Sequence, residues 1–149
     1  MRVGRPIPAL PQPVCEYCGA RALLASAGEE AYPYLDDHGP VWICAACQAW
    51  IGVRTRSKHN VPLGRLANAA LRERKMRLHD ALEPLVAAKI RRDRVNAFEA
   101  RGKAMKWLIA SLDLDVTTPS IHALSLEQCE QAIRYTAEFQ ASRRPDRTA

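Results

Sequence analysis

The sequence predicts an α+β chain, with short antiparallel strands first and helices after. Two observations carry that division. Four cysteines, Cys15, Cys18, Cys44 and Cys47, form two C-x2-C pairs separated by 25 residues, in a stretch punctuated by turn formers. Beyond residue 60, leucine and alanine recur at three- and four-residue steps, the period of an amphipathic helix. The expected organisation is a proline-rich arm over 1–13, a four-cysteine ribbon over 14–60, a helical region of three to four helices over 61–142, and a basic tail over 143–149.

Composition sets the outer limits. A chain of 149 residues with 48% hydrophobic residues can bury a core, as one small domain fused to a helical piece. Prolines 6, 8, 11 and 13 stand where a signal peptide would need an apolar core. The longest uncharged apolar run, Val41 to Val53, has 13 residues and is too short to span a bilayer. Both points predict a soluble cytoplasmic protein, with its thiols reduced and available as metal ligands. Net charge is +6, unevenly spread. Between Arg54 and Lys106 stand 15 Lys or Arg against 5 Asp or Glu, so the rest of the chain is net acidic. Such a basic stretch attracts phosphates or an acidic protein surface, and charge alone does not choose between them.

Residues 1–14 read as an extended arm carrying Arg2 and Arg5. Each C-x2-C pair lets two sulfurs face one ion, and two such pairs supply the four thiolates of a tetrahedral zinc site. A redox pair needs no second copy, and a disulfide framework belongs to secreted chains. One structural Zn2+, held by Cys15, Cys18, Cys44 and Cys47, is the expected cofactor. Strands are expected over Arg21–Ser26, Ala31–Leu35, Val41–Cys44 and Ala49–Val53, with Gly28 and Asp36 to Pro40 as turns between them. Tyr17, Tyr34, Trp42 and Trp50 are expected to pack around the metal, with Trp50 the candidate for an exposed stacking platform.

Arg54, Arg56, Lys58 and His59 mark a basic loop, after which Pro62-Leu63-Gly64 opens a helical pattern. Leu63, Leu66, Ala67, Ala70, Leu71, Leu78, Ala81, Leu82 and Leu85 form its apolar stripe, while Arg65, Asn68, Arg72, Lys75 and His79 form a second, solvated one. Arg74 falls inside the apolar stripe and must pair, snorkel or mark an interface. Pro84 is expected to break this helix or begin the next, and Lys89 to Arg94 to be a charged helix end. A second helix groups Phe98, Met105, Leu108, Ile109 and Leu112. Thr117-Thr118-Pro119 reads as a linker. Ser125 and Gln128 have the spacing of a capping box, opening a last helix that buries Leu126, Cys129, Ile133, Thr136 and Ala137. Cys129 on that stripe reads as core rather than as a fifth ligand.

These residues together resemble a zinc-finger-containing domain family of unknown function from tailed phages and bacteria. The resemblance rests on the paired knuckles, Pro62-Leu63-Gly64, Leu66-Ala67, Leu71-Arg72, Lys75, His79 and Pro84, then Arg101-Gly102-Lys103-Ala104, Trp107-Leu108, Ile121-His122 and Cys129. It runs from Val14 to about Phe139. A cysteine and a histidine that often follow the second knuckle in the family are here Val53 and Arg54, leaving the four cysteines as the metal set. The resemblance implies a zinc-binding phage or prophage protein and names no activity.

Three functions compete. The first is non-enzymatic binding of DNA or RNA through Arg54, Arg56 and Lys58, continued by Arg72, Lys75 and His79. No histidine pair has C2H2 spacing, so sequence-specific readout has no support. The second is a factor that binds an acidic or nucleic-acid-binding host protein, such as a polymerase or a defence complex. The third is a nuclease of the His-Asn-His type, suggested by Asp37-His38; the five residues between His38 and Cys44 leave no room for the rest of that motif. No nucleophile elbow, phosphate loop or HExxH occurs, and four thiolates leave no open zinc position. The expectation is a protein that is no enzyme, with neither membrane nor small-molecule partner.

Overall fold

A three-stranded antiparallel sheet is built around the second cysteine pair. Strand β2 (Val41–Cys44) turns through Ala45–Gln48 into β3 (Ala49–Gly52), and β1 (Leu23–Ala25) lines the other side of β2, giving the order β1-β2-β3. Trp42 pairs with Ile51 and Leu24, while Ile43 pairs with Trp50 and Leu23. Strand alternation therefore makes two faces. One carries Trp42, Cys44, Ala49 and Ile51 and packs with Cys15, Ala22, Leu63 and Leu66. The other carries Ala25, Val41, Ile43 and Trp50 and is covered by Tyr32.

The structure, a computed structural model, describes residues 12–116 and 119–143. Almost all of the expected arm and basic tail, and Thr117 and Thr118 of the linker, lie outside the described residues. Among the described residues, three α-helices follow the sheet: α1 (Ala69–Asp93), α2 (Ala97–Leu112) and α3 (Leu126–Arg143), with a short 3-10 turn at Ile121–Ala123. Short antiparallel strands followed by helices are the predicted α+β arrangement. The chain forms two compact units, divided between Leu66 and Ala67.

Four local expectations are corrected. Ala31–Leu35 is not a strand. Pro33 lacks the N–H a ladder needs, and the segment instead lies as a cover: Tyr32 Oη donates to Gly39 O (2.7 Å) and accepts from His38 N (2.8 Å). Helix α1 does not open at Pro62. Leu63 N donates to Gly52 O (2.9 Å) and Val53 bridges Pro62, so this stretch extends the sheet, and Leu63 and Leu66 pack in the ribbon. The helix begins where Asn68 Oδ1 accepts from Leu71 N (3.0 Å), an N-cap that satisfies one orphan donor.

Pro84 does not end α1 either; it lies within that helix. The two flanking buried residues, Leu82 and Val86, hold the helix to its neighbours, and Gln140 Nε2 of α3 donates to Ala81 O (3.2 Å) in the interrupted turn. Packing outweighs the lost bond here. Finally, Phe98 is 88% exposed, and Ala70, Leu126 and Ala137 are exposed too, so none belongs to the apolar face assigned to it. Ala100 and Ala132 are buried in their place.

The helical unit closes on one core of Leu71, Leu78, Leu82, Met105, Leu108, Leu124 and Cys129, among others. Cys129 is a core residue, fully buried. Arg74 pairs: its Nε lies 3.1 Å from Glu130 of α3 and its Nη1 3.2 Å from Glu73. The capping box forms in both directions, Gln128 N to Ser125 Oγ (3.2 Å) and Ser125 N to Gln128 Oε1 (2.9 Å).

Candidate metal centre and basic loop

Each cysteine pair sits on a tight backbone turn. In the first, Gly19 N donates to Cys15 O and Cys15 N to Ala20 O, both at 2.8 Å. In the second, Gln48 N donates to Ala45 O (3.3 Å) and its side-chain Nε2 to the same oxygen (2.7 Å). The residue after the second cysteine of each pair is left-handed: Gly19 at φ 77° and Gln48 at φ 50°. Glycine takes that conformation without a Cβ clash, while glutamine is held there by its side-chain bond. These turns aim both sulfurs of a pair the same way.

The four Sγ atoms lie within 4.8 Å of one another, and those of Cys18 and Cys44 are 3.6 Å apart. A tetrahedron with Zn–S bonds of about 2.3 Å has S–S edges of roughly 3.8 Å, so the donor set fits zinc. Ionisation is consistent with that fit. The Ala20 backbone amide, helped by Cys44, holds the Cys18 thiol below its ordinary value, favouring a thiolate. Cys47, crowded by Cys18 and by burial, is pushed up to about 12. Four close thiols ionise together only when a cation neutralises them. Among the described residues, no other group of three or more His, Cys, Asp or Glu converges in this way.

The sequence profile of a family described as a zinc-finger-containing domain matches residues 12–139. The chain belongs to that family. No curated protein and no solved structure matches the chain. The four cysteines are the zinc site of this zinc-finger protein, and with four thiolates the site is closed and structural. Val53 and Arg54 take no part: Val53 bridges Pro62 and Arg54 N donates to Val61 O (2.8 Å).

The aromatic residues divide between the two sheet faces rather than all surrounding the metal. Trp42 packs beside the cysteines and donates from Nε1 to Asn60 O (2.7 Å). Trp50 lies on the other face, donating to Tyr34 Oη (3.0 Å), and Tyr34 stacks edge-on with His38 at 4.8 Å between centroids. Trp50 is thus engaged with Tyr34 and is no free platform, and Tyr17 is 44% exposed. Asp37 Oδ1 caps Gly39 N (2.9 Å), so Asp37-His38 is a turn.

Arg54, Arg56 and Lys58 project from a closed loop. Ser57 N donates to Arg54 O, Val61 N to Ser57 Oγ (2.9 Å), and Arg56 is left-handed at φ 61°. All three are exposed, and among the described residues none of them makes an ion pair. The residues expected to continue this surface belong to the other unit and are engaged there. Arg72 donates to Ala67 O. His79 lies between Asp80 (3.6 Å) and Glu83 (3.2 Å), the latter shared with Arg101. Lys75 is not on a solvated face: burial lowers its pKa to about 8. Arg65 is paired with Glu16 of the first knuckle (3.0 Å).

Sequence reasoning placed Thr136 on a buried stripe but missed the burial of Lys75 and His122. His122 Nδ1 and Thr136 Oγ1 are buried with no hydrogen-bond partner among the described residues. The available signal was the step from Lys75 to Leu78 and Leu82, which places the lysine near the core edge of α1.

Proposed function

We propose that this zinc-finger protein binds nucleic acid without catalysing a reaction, through the loop Arg54–Asn60, as a cytoplasmic protein of phage or prophage type. The observation that carries the reading is the loop itself. Among the described residues its three cations meet no carboxylate, and they stand on a backbone held by hydrogen bonds from Arg54 N to Val61 O, Ser57 N to Arg54 O, Val61 N to Ser57 Oγ and Trp42 Nε1 to Asn60 O. A backbone held that way needs no loop ordering on binding, so only the ordering of the side chains opposes phosphate neutralisation. Zinc acts here as the fold's staple, through Cys15, Cys18, Cys44 and Cys47, and takes no part in contact.

Three phosphate contacts give a salt slope of about −2.7 in log K against log salt for duplex, or about −2 for single strands. Titration of labelled DNA and RNA at several salt concentrations measures it. A slope near zero, or unchanged affinity in the Arg54→Glu, Arg56→Glu, Lys58→Glu variant, removes the proposal. Arg56→Gly separates function from folding. Glycine relieves the left-handed backbone, so stability holds or rises, while affinity falls about fivefold.

A further inference from the structure

The helical unit carries a cavity that the nucleic-acid reading does not use. It has a volume of about 510 Å³ and opens between α1, α2 and the end of α3. Its floor is apolar: Pro84, Leu85, Trp107 and Phe139. Its rim is cationic, with Lys89, Arg92 and Arg143. Lys89 (2.6 Å) and Arg92 (3.2 Å) share one carboxylate, Asp93, which they hold well below its usual range, at about 2. Two of the three cations share that acid and Arg143 stands over Phe139 instead, so the rim is net positive over an apolar floor.

We propose that this groove docks an acidic segment of a partner protein, with a bulky apolar side chain seated against Trp107 and Phe139 and flanking carboxylates at Arg92 and Arg143. Charge complementarity sets the sign of the partner, and the floor sets its anchor. A nucleobase fits less well. The Trp107 ring meets Phe139 edge-on at 4.7 Å, and the Arg143 guanidinium stands over Phe139 at 5.3 Å, so no open pair of ring faces is offered for stacking. Gln140, the neutral polar side chain of the lining, gives its amide to Ala81 O, leaving few partners for a base edge. An apolar side chain needs no such partner and displaces only water.

The probe is a short fluorescein-labelled peptide with a central Phe-Leu pair flanked by Asp and Glu, titrated against the full zinc-loaded chain. Two control peptides replace Phe-Leu by Ser-Ser, or the acids by Lys. Binding shifts the Trp107 indole N–H resonance and is about tenfold weaker for each control and for the Arg92→Glu, Arg143→Glu variant. Both arginines are exposed, so the variant folds as wild type does, which far-UV circular dichroism checks. Arg54→Glu leaves peptide affinity unchanged, whereas it weakens nucleic acid, so the two proposals stand or fall separately. No peptide binding overturns the inference. So does equal affinity for the Ser-Ser peptide, indifference to the double charge reversal, or displacement of the peptide by oligothymidylate.

Discussion

At the scale of single residues, the metal ligands and their neighbours make the sharpest tests. Cys44→Ser leaves three thiolates, and metal analysis should fall from about one zinc per chain to far below it, with the ribbon unfolding. Gly19 isolates backbone strain, because a Cβ there would meet nothing within 4 Å. Gly19→Ala is expected to cost about 1 kcal/mol, roughly a fivefold loss of zinc affinity in a chelator competition. His122 reports on pH. Burial, aided by Lys75, depresses its pKa to about 4 from 6.5. A depressed histidine binds its proton in the unfolded chain first, so its share of stability is present above pH 6.5 and lost as pH falls towards 4. After screening at this part-exposed site, that share is about 1–2 kcal/mol. Urea midpoints against pH measure it, and His122→Gln should flatten that acid slope. Lys75, depressed by burial to about 8 from 10.5, acts the same way higher up, so stability rises with pH across that window.

At the scale of elements, caps decide where helices begin. The box at Ser125 and Gln128 was legible because its residues and spacing are local. Asn68, which caps α1, was missed, since Pro62 offered an equally good local start and only the pairing of Leu63 with Gly52 excludes it. Ser125→Ala should lower stability by about 1 kcal/mol in urea unfolding followed by helical circular dichroism; no loss would show that α3 is held by packing alone. Pro84 teaches the reverse lesson. Its local chemistry says stop, yet Leu82, Val86 and Gln140 carry the helix through.

At the scale of the whole molecule, each unit has its own core, one built on the cysteines and sheet, the other on three helices. Chelation should therefore unfold the ribbon while most of the helical signal persists. A single cooperative loss of both signals would show that the helices depend on the zinc. Among the described residues no helix is long and apolar enough to cross a membrane.

The sequence by itself determined the metal centre and the order of strands and helices, because both are written in short periods: two residues between thiolates, and three or four between apolar side chains. It also determined that Cys129 is core and that Arg74, inside the apolar stripe, must snorkel, pair or mark an interface; that it pairs, with Glu73 and Glu130, is tertiary. Only the tertiary structure decided which cations are left without a carboxylate among the described residues. Arg54, Arg56 and Lys58 have identical chemistry to Arg65, Arg72 and Lys75, yet Arg65 is taken up by Glu16, Arg72 by Ala67 O, and Lys75 is largely buried. A charge is available or spent according to what lies beside it in space, and those neighbours come from distant parts of the chain.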